Sequence, residues 1–138
     1  MDNQRIIYPT PDGGVAIIVP APGVSAADVL KDVPPGVVYE IVDVATIPSD
    51  RTFRNAWEKA GNQIQHNLTK AKEIAHEKRR IKRAEEFAPL DIESTIPAKA
   101  AGAEAARQLI RDKYAAMQVA IDAAADVDAL KSAAAEVL

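Results

Sequence analysis

Five side chains, Ile110, Tyr114, Met117, Ile121 and Ala124, recur at intervals of 4, 3, 4 and 3 residues. That period lines them up along one side of an α-helix and on no single face of a strand. A second stripe, Ile64, Leu68, Ala71, Ala75, Ile81 and Ala84, precedes it, interrupted by Lys78. Both stripes are narrow, as in a seam between two paired helices. The sequence therefore predicts a long helix over residues 62–88, another over 98–125 and a short one over 127–137 capped by Asp126. The two long helices should face each other or a neighbouring copy. Pro89 is expected to end the first, because proline has no N–H to donate to the preceding turn.

Ahead of these stripes the pattern is that of strands. Arg5-Ile6-Ile7-Tyr8 and Val15-Ala16-Ile17-Ile18-Val19 flank Pro9-Thr10-Pro11-Asp12-Gly13-Gly14, whose residue types favour a turn, so a β-hairpin is expected. The second run is apolar on both faces and calls for cover on each side. Ser25 can cap a short helix over residues 26–31, with Asp28 reaching back as the acid of a weak capping box. Val37-Val38-Tyr39-Glu40-Ile41-Val42-Asp43-Val44, rich in β-branched residues, gives a third strand. Ser49 or Asp50 is placed to cap a helical turn carrying Phe53, Ala56 and Trp57 on one face. Phe53 and Trp57 are read as a plug between the sheet and the helical region, and Gly61-Asn62 as a break. The predicted fold class is α+β: a small N-terminal antiparallel sheet, made of a hairpin, one further strand and one short helix, then a long helical hairpin or bundle. The division expected is a docking unit over residues 1–58 and a helical region over 62–138.

Composition sharpens what such a fold can do. Apolar residues form 48% of the chain, but alanine is about a fifth of it and aromatics only 4%. Small side chains bury little area, so a core of this kind leans on long helices, self-association or a partner. There is no cysteine, which excludes disulfides and thiolate metal sites. The first residues lack the basic start and apolar run of a signal peptide, and no stretch approaches the ~18 apolar residues of a membrane span. Synthesis in the cytoplasm is expected, and Asn67-Leu68-Thr69 is read as a chance sequon. The net charge of −3 conceals a band, because residues 61–90 hold 7 basic and 4 acidic groups between segments that are each net acidic.

Two stretches invite a chemical reading. Glu73-Ile74-Ala75-His76 has the Glu-x-x-His step of carboxylate-bridged di-iron bundles, but such a site needs a second step and two more carboxylates. His66 has Gln63 in the corresponding position, so no metal site is expected. Lys78-Arg79-Arg80-Ile81-Lys82-Arg83 could hold phosphates or an acidic partner. The plain reading is a solvated helix face, with Glu77 meeting Arg80, Lys82 meeting Glu86 and Ile81 turned into the seam. No aromatics interleave with the cations to stack bases. Asp12-Gly13-Gly14 is too short for a phosphate loop, and Asp126-Val127-Asp128 lacks the glycine and closing glutamate of a calcium loop. Gly-x-Ser-x-Gly is absent, and neither histidine has an obvious serine partner. No catalytic, cofactor-binding or metal-binding residue is assigned, and the chain is not expected to be an enzyme.

Several of these stretches resemble small proteins of bacteriophage tail and tail-fibre modules. They are Ile7-Tyr8-Pro9-Thr10-Pro11-Asp12-Gly13-Gly14-Val15-Ala16, Asp32-Val33-Pro34-Pro35-Gly36 with Tyr39-Glu40-Ile41-Val42-Asp43, and Asp50-Arg51-Thr52-Phe53-Arg54-Asn55-Ala56-Trp57. The last also resembles the Arg-Thr-x-Arg-Asn segment of phage tail assembly chaperones. Lys70-Ala71-Lys72-Glu73-Ile74, Leu90-Asp91 and Arg107-Gln108-Leu109-Ile110-Arg111-Asp112 continue the similarity over most of the chain. The resemblance implies no catalytic residues and no cofactor. It implies a non-catalytic tail-associated structural or adaptor protein, acting by protein–protein contact in the host cytoplasm and then in the virion tail. The alternative is a tail or tail-fibre assembly chaperone that is not retained in the virion. A third reading, from the charge band, is a nucleic-acid or host-factor binder using residues 78–83. The partners expected are other tail or fibre proteins, in a homo-oligomer or hetero-complex, with no membrane and with nucleic acid ranked last. Phe53, Trp57, Arg79, Arg80, Arg83, Tyr114 and Met117 are the candidate partner-binding residues.

Overall fold

The structure, a computed structural model, describes residues 3–138. Met1 and Asp2, the first residues of the predicted docking unit, lie outside the described residues. The chain folds as two units, up to Asn67 and from Leu68 onward.

In the N-terminal unit, β1 (Gln4–Pro9), β2 (Val15–Ile18) and β3 (Glu40–Asp43) form an antiparallel sheet in the order β2-β1-β3. The predicted hairpin is present, with Ile6 opposite Ile18 and Ile7 opposite Ile17. Its turn is held by Thr10 N–H on the Gly14 carbonyl at 3.0 Å and by Gly14 N–H on Asp12 Oδ1 at 3.1 Å. Gly13 sits at φ 84°, a conformation that glycine adopts without steric cost. The doubly covered strand is β1, not β2 as its apolar composition suggested: Ile6 and Ile7 point to opposite faces and both are fully buried. β1 is also the central strand of the sheet, and β2 is an edge.

Ser25 and Asp28 cap each other's backbone, Asp28 N–H on Ser25 Oγ at 3.2 Å and Ser25 N–H on Asp28 Oδ2 at 3.4 Å. The element they start is a 3₁₀-helix, Ala27–Asp32, rather than an α-helix. The region around Phe53 also departs from expectation. A 3₁₀ turn over Arg54–Ala56 leads directly into β4 (Trp57–Ala60), which pairs with β5 (Gln63–His66). Gly61-Asn62 is thus the turn of a second hairpin. With Gly61 at φ 61° as its first central residue, it matches the type that two-residue hairpins favour. Residues 63–66 are therefore strand, and the helix predicted from 62 begins later.

The second unit consists of α1 (Leu68–Glu93), α2 (Ala100–Ala123) and α3 (Val127–Ala133). The long helices pair within one chain. Asp91 meets Arg107, Glu86 meets Lys113 and His76 meets Asp122, so numbers rise along α1 as they fall along α2, the mark of an antiparallel hairpin. The seam on α2 is Ala103, Tyr114, Met117 and Ile121, close to the predicted stripe. On α1 it is Ala71, Ala75 and Arg79, at a steady step of four. Ile81 is off this line and 51% exposed, contrary to the predicted seam. α1 also runs through Pro89 to Glu93. Proline there leaves the Glu85 carbonyl without its helical N–H partner, so the helix continues past Pro89 with one backbone hydrogen bond missing. Asp126 caps α3 as predicted, accepting from Ala129 N–H at 2.7 Å.

Candidate functional site

Concave surfaces in each unit carry side chains with chemistry. In the helical unit a groove of about 460 Å³ runs between α1 and α2. Arg79, Arg80 and Arg83 line it from α1, and Arg111, Tyr114 and Gln118 from α2, over a floor opened by Ala84 and Ala115. The four guanidiniums are not equivalent. Arg80 pairs with Glu77 at 3.2 Å, and Arg111 with Glu104 at 2.9 Å, both on exposed helix surface. Arg83 lies over the Phe87 ring, 4.6 Å from its centroid, and has no carboxylate within ion-pair distance among the described residues. Arg79 is only 8% exposed. Its Nε donates to His76 Nδ1 at 3.3 Å, and its terminal nitrogens make no hydrogen bond. Burial, then the like charges of Arg80 and Arg83, push the Arg79 pKa down, with Asp122 acting against them.

Below this groove Glu86 and Lys113 tie the helices together. Lys113 Nζ lies 3.1 Å from both oxygens of the Glu86 carboxylate. Burial alone would raise the Glu86 pKa, but the interactions with Lys113 and Tyr114 outweigh it, so the carboxyl titrates below its ordinary value. The same pair raises Lys113. The Tyr114 hydroxyl is buried, makes no hydrogen bond, and lies near enough to Glu86 to feel its charge. Burial first, and Glu86 second, push that phenol up.

In the N-terminal unit a second hollow, about 430 Å³, is lined by the apolar Ile17, Val19, Val44, Ile47 and Pro48 together with Ser49, Arg5, Arg51 and Arg54. Val19 is 61% exposed there. Arg54 is fixed in two ways: it donates to the Val15 carbonyl at 2.9 Å and lies 4.7 Å over the Trp57 ring. Arg51 lies 5.9 Å from the same ring.

The residues predicted to meet partners separate into two groups. Phe53, Trp57, Tyr114 and Met117 are buried and form core. Trp57 Nε1–H donates to His66 Nε2 at 3.2 Å, which engages that histidine inside its own hairpin. Arg79, Arg80 and Arg83 do come together, as one wall of the helical groove. Of the predicted ion pairs, Glu77–Arg80 forms, whereas Lys82 meets Glu85 at 3.8 Å because Glu86 is drawn across to Lys113. His76 is held by Asp122 and Arg79. Among the described residues no three metal-ligating side chains cluster. Among the same residues no helix is long and apolar enough to cross a membrane. Comparison with family models, with curated proteins and with solved structures gave no match.

Sequence reasoning missed Arg111 and Gln118, and the apolar hollow with Arg5, Val19, Val44 and Arg51. Arg111 had a signal. It lies three residues before Tyr114 on the predicted seam, and so flanks the interface on the side that α1 presents its cations. The hollow had none, since the strand ends that build it meet only through the sheet order.

Proposed function

We propose that this chain is a non-catalytic, tail-associated structural or adaptor protein of a bacteriophage, acting by protein–protein contact. The observation that carries the contact role is the hollow of the N-terminal unit. Val19 and Val44 expose apolar surface that water solvates at a cost of about 25 cal/mol per Å². Arginines line the same hollow, with Arg54 braced on Trp57, and this mixture of apolar side chains and arginine suits an interface. The sheet adds to this, because β2 and β3 are both edge strands. The phage setting rests on the resemblance of the Arg51-to-Trp57 segment and its companions to tail-module proteins.

Co-expression with the tail and fibre proteins encoded beside it tests the reading. A stoichiometric complex should survive size-exclusion chromatography and be lost in the Val19→Asp and Val44→Asp variants. Failure of every such protein to hold the wild-type chain would overturn it. Recovery of the complex from infected cells, but of no chain from finished particles, would favour the assembly-chaperone reading instead.

A further inference from the structure

The groove between α1 and α2 presents four guanidiniums from two helices, and two of them, Arg79 and Arg83, have no carboxylate of their own. The Arg79 residue is mostly buried, and the nearest carboxylate, Asp122, reaches it only through His76, so its guanidinium has no direct ion pair. His76 satisfies only Nε of Arg79, leaving the fork of terminal N–H groups that binds carboxylates in a bidentate way. Arg83 is kept beside it by the Phe87 ring rather than by an ion pair. On the other wall Gln118 and Arg111 add donors, with Arg111 oriented by Glu104 and by Gln108 at 3.0 Å. We infer that this groove is a binding site for an acidic segment of a partner protein, with Arg79 and Arg83 receiving its carboxylates.

Nucleic acid offers anions too, but the surroundings do not suit it. A single strand is held by aromatic faces as well as charge. Here the near face of Phe87 is covered by Arg83, and Tyr114 is buried. The chain as a whole carries −3, so a long polyanion meets repulsion beyond the groove, whereas a short acidic segment stays within it. A groove of about 460 Å³ also exceeds the need of one inorganic anion. This inference deepens the protein-contact reading by naming the chemistry of one partner segment, and it involves a different unit from the apolar hollow.

The test is fluorescence anisotropy of the full chain with a labelled oligo-glutamate peptide and with an oligo-deoxythymidylate of equal charge. The peptide should bind more tightly, with affinity falling as salt rises. Arg83→Gln should weaken it by about tenfold or more, as for loss of a charge-assisted hydrogen bond, and Arg83→Lys should recover part of that. Arg79→Gln should weaken it further. Since Arg79 is buried, its variant counts only with helical circular dichroism intact, and Arg83 supplies the independent reading. Lys99→Gln, outside the groove, should change nothing. Tighter binding of the oligonucleotide, no binding of the peptide, or equal peptide binding by both arginine variants would overturn the inference. A tail-protein complex that survived Arg79→Gln and Arg83→Gln would sink the groove and leave the adaptor reading standing.

Discussion

Arg79 Nε donates to His76 Nδ1 at 3.3 Å, and this contact fixes the tautomer of the imidazole. With Nδ1 accepting, Nε2 carries the proton and donates it to Asp122 Oδ1 at 2.7 Å on the facing helix. The buried arginine, the histidine and the aspartate thus form one chain of hydrogen bonds across the helical hairpin.

This chain predicts an order of effects. His76→Ala should cost about 1–3 kcal/mol, because it strips the one hydrogen-bond partner from a buried guanidinium. Asp122→Ala should cost about 1 kcal/mol or less, because the aspartate is largely exposed. Urea unfolding followed by helical circular dichroism reads both. The reverse order would mean that Arg79 does not depend on His76.

The N-terminal unit has its own reporter, since Trp57 is the only tryptophan. Its indole N–H is buried and donates to His66. His66→Ala should cost about 1–3 kcal/mol by leaving that donor unpaired. The urea midpoint seen by Trp57 fluorescence should fall, while an unchanged midpoint would contradict the hydrogen bond.

The Glu86–Lys113–Tyr114 cluster contributes to the pH dependence of the helical unit. Glu86 is depressed, so its contribution is present above the ordinary carboxyl range and is lost as pH falls through its lowered folded value. Lys113 and Tyr114 are both raised. Their contributions are complete below their unfolded values, near pH 10, and are lost as pH climbs through the raised folded values. Stability should therefore be flat through neutrality and fall at both ends. Glu86→Gln should flatten the acid limb and weaken the alkaline one, as measured by urea midpoints across pH. An unaltered profile would show that the cluster contributes nothing.

Two glycines should respond with opposite sign to the same substitution. Gly61 has open space around it but a φ of 61°, so Gly61→Ala should cost about 1 kcal/mol through the backbone alone. Gly102 lies in α2 with nothing within 4 Å of a new methyl, so Gly102→Ala should stabilise by about 0.5 kcal/mol. Thermal melts followed by Trp57 fluorescence for the first and by circular dichroism for the second would expose a failure of either sign.

What the sequence made legible follows from the range of the forces involved. The α2 seam, the Asp126 cap and the Ser25–Asp28 pair are local, and each is read from spacing and residue type. The β4–β5 hairpin was also local, but the helical spacing of Phe53, Ala56 and Trp57 masked it. Gly61-Asn62 between two four-residue runs was the stronger signal, because a two-residue loop opening with glycine closes a hairpin. Pro89 does not end α1: the turn after it is tied to α2 through Asp91 and Arg107, a contact between helices that no local signal shows. Arg79 in place of Ile81 on the seam could not be seen, because a cation is buried there only through His76 and Asp122, which come from different helices. The groove and the hollow are products of tertiary pairing, and no periodicity announces them.

Quantitative mass spectrometry of purified particles tests the proposed role as a protein-contact component of a phage tail. The chain should be present in fixed ratio to a tail or fibre protein and remain so after extensive washing. Complete absence from particles whose tails are otherwise intact would contradict it.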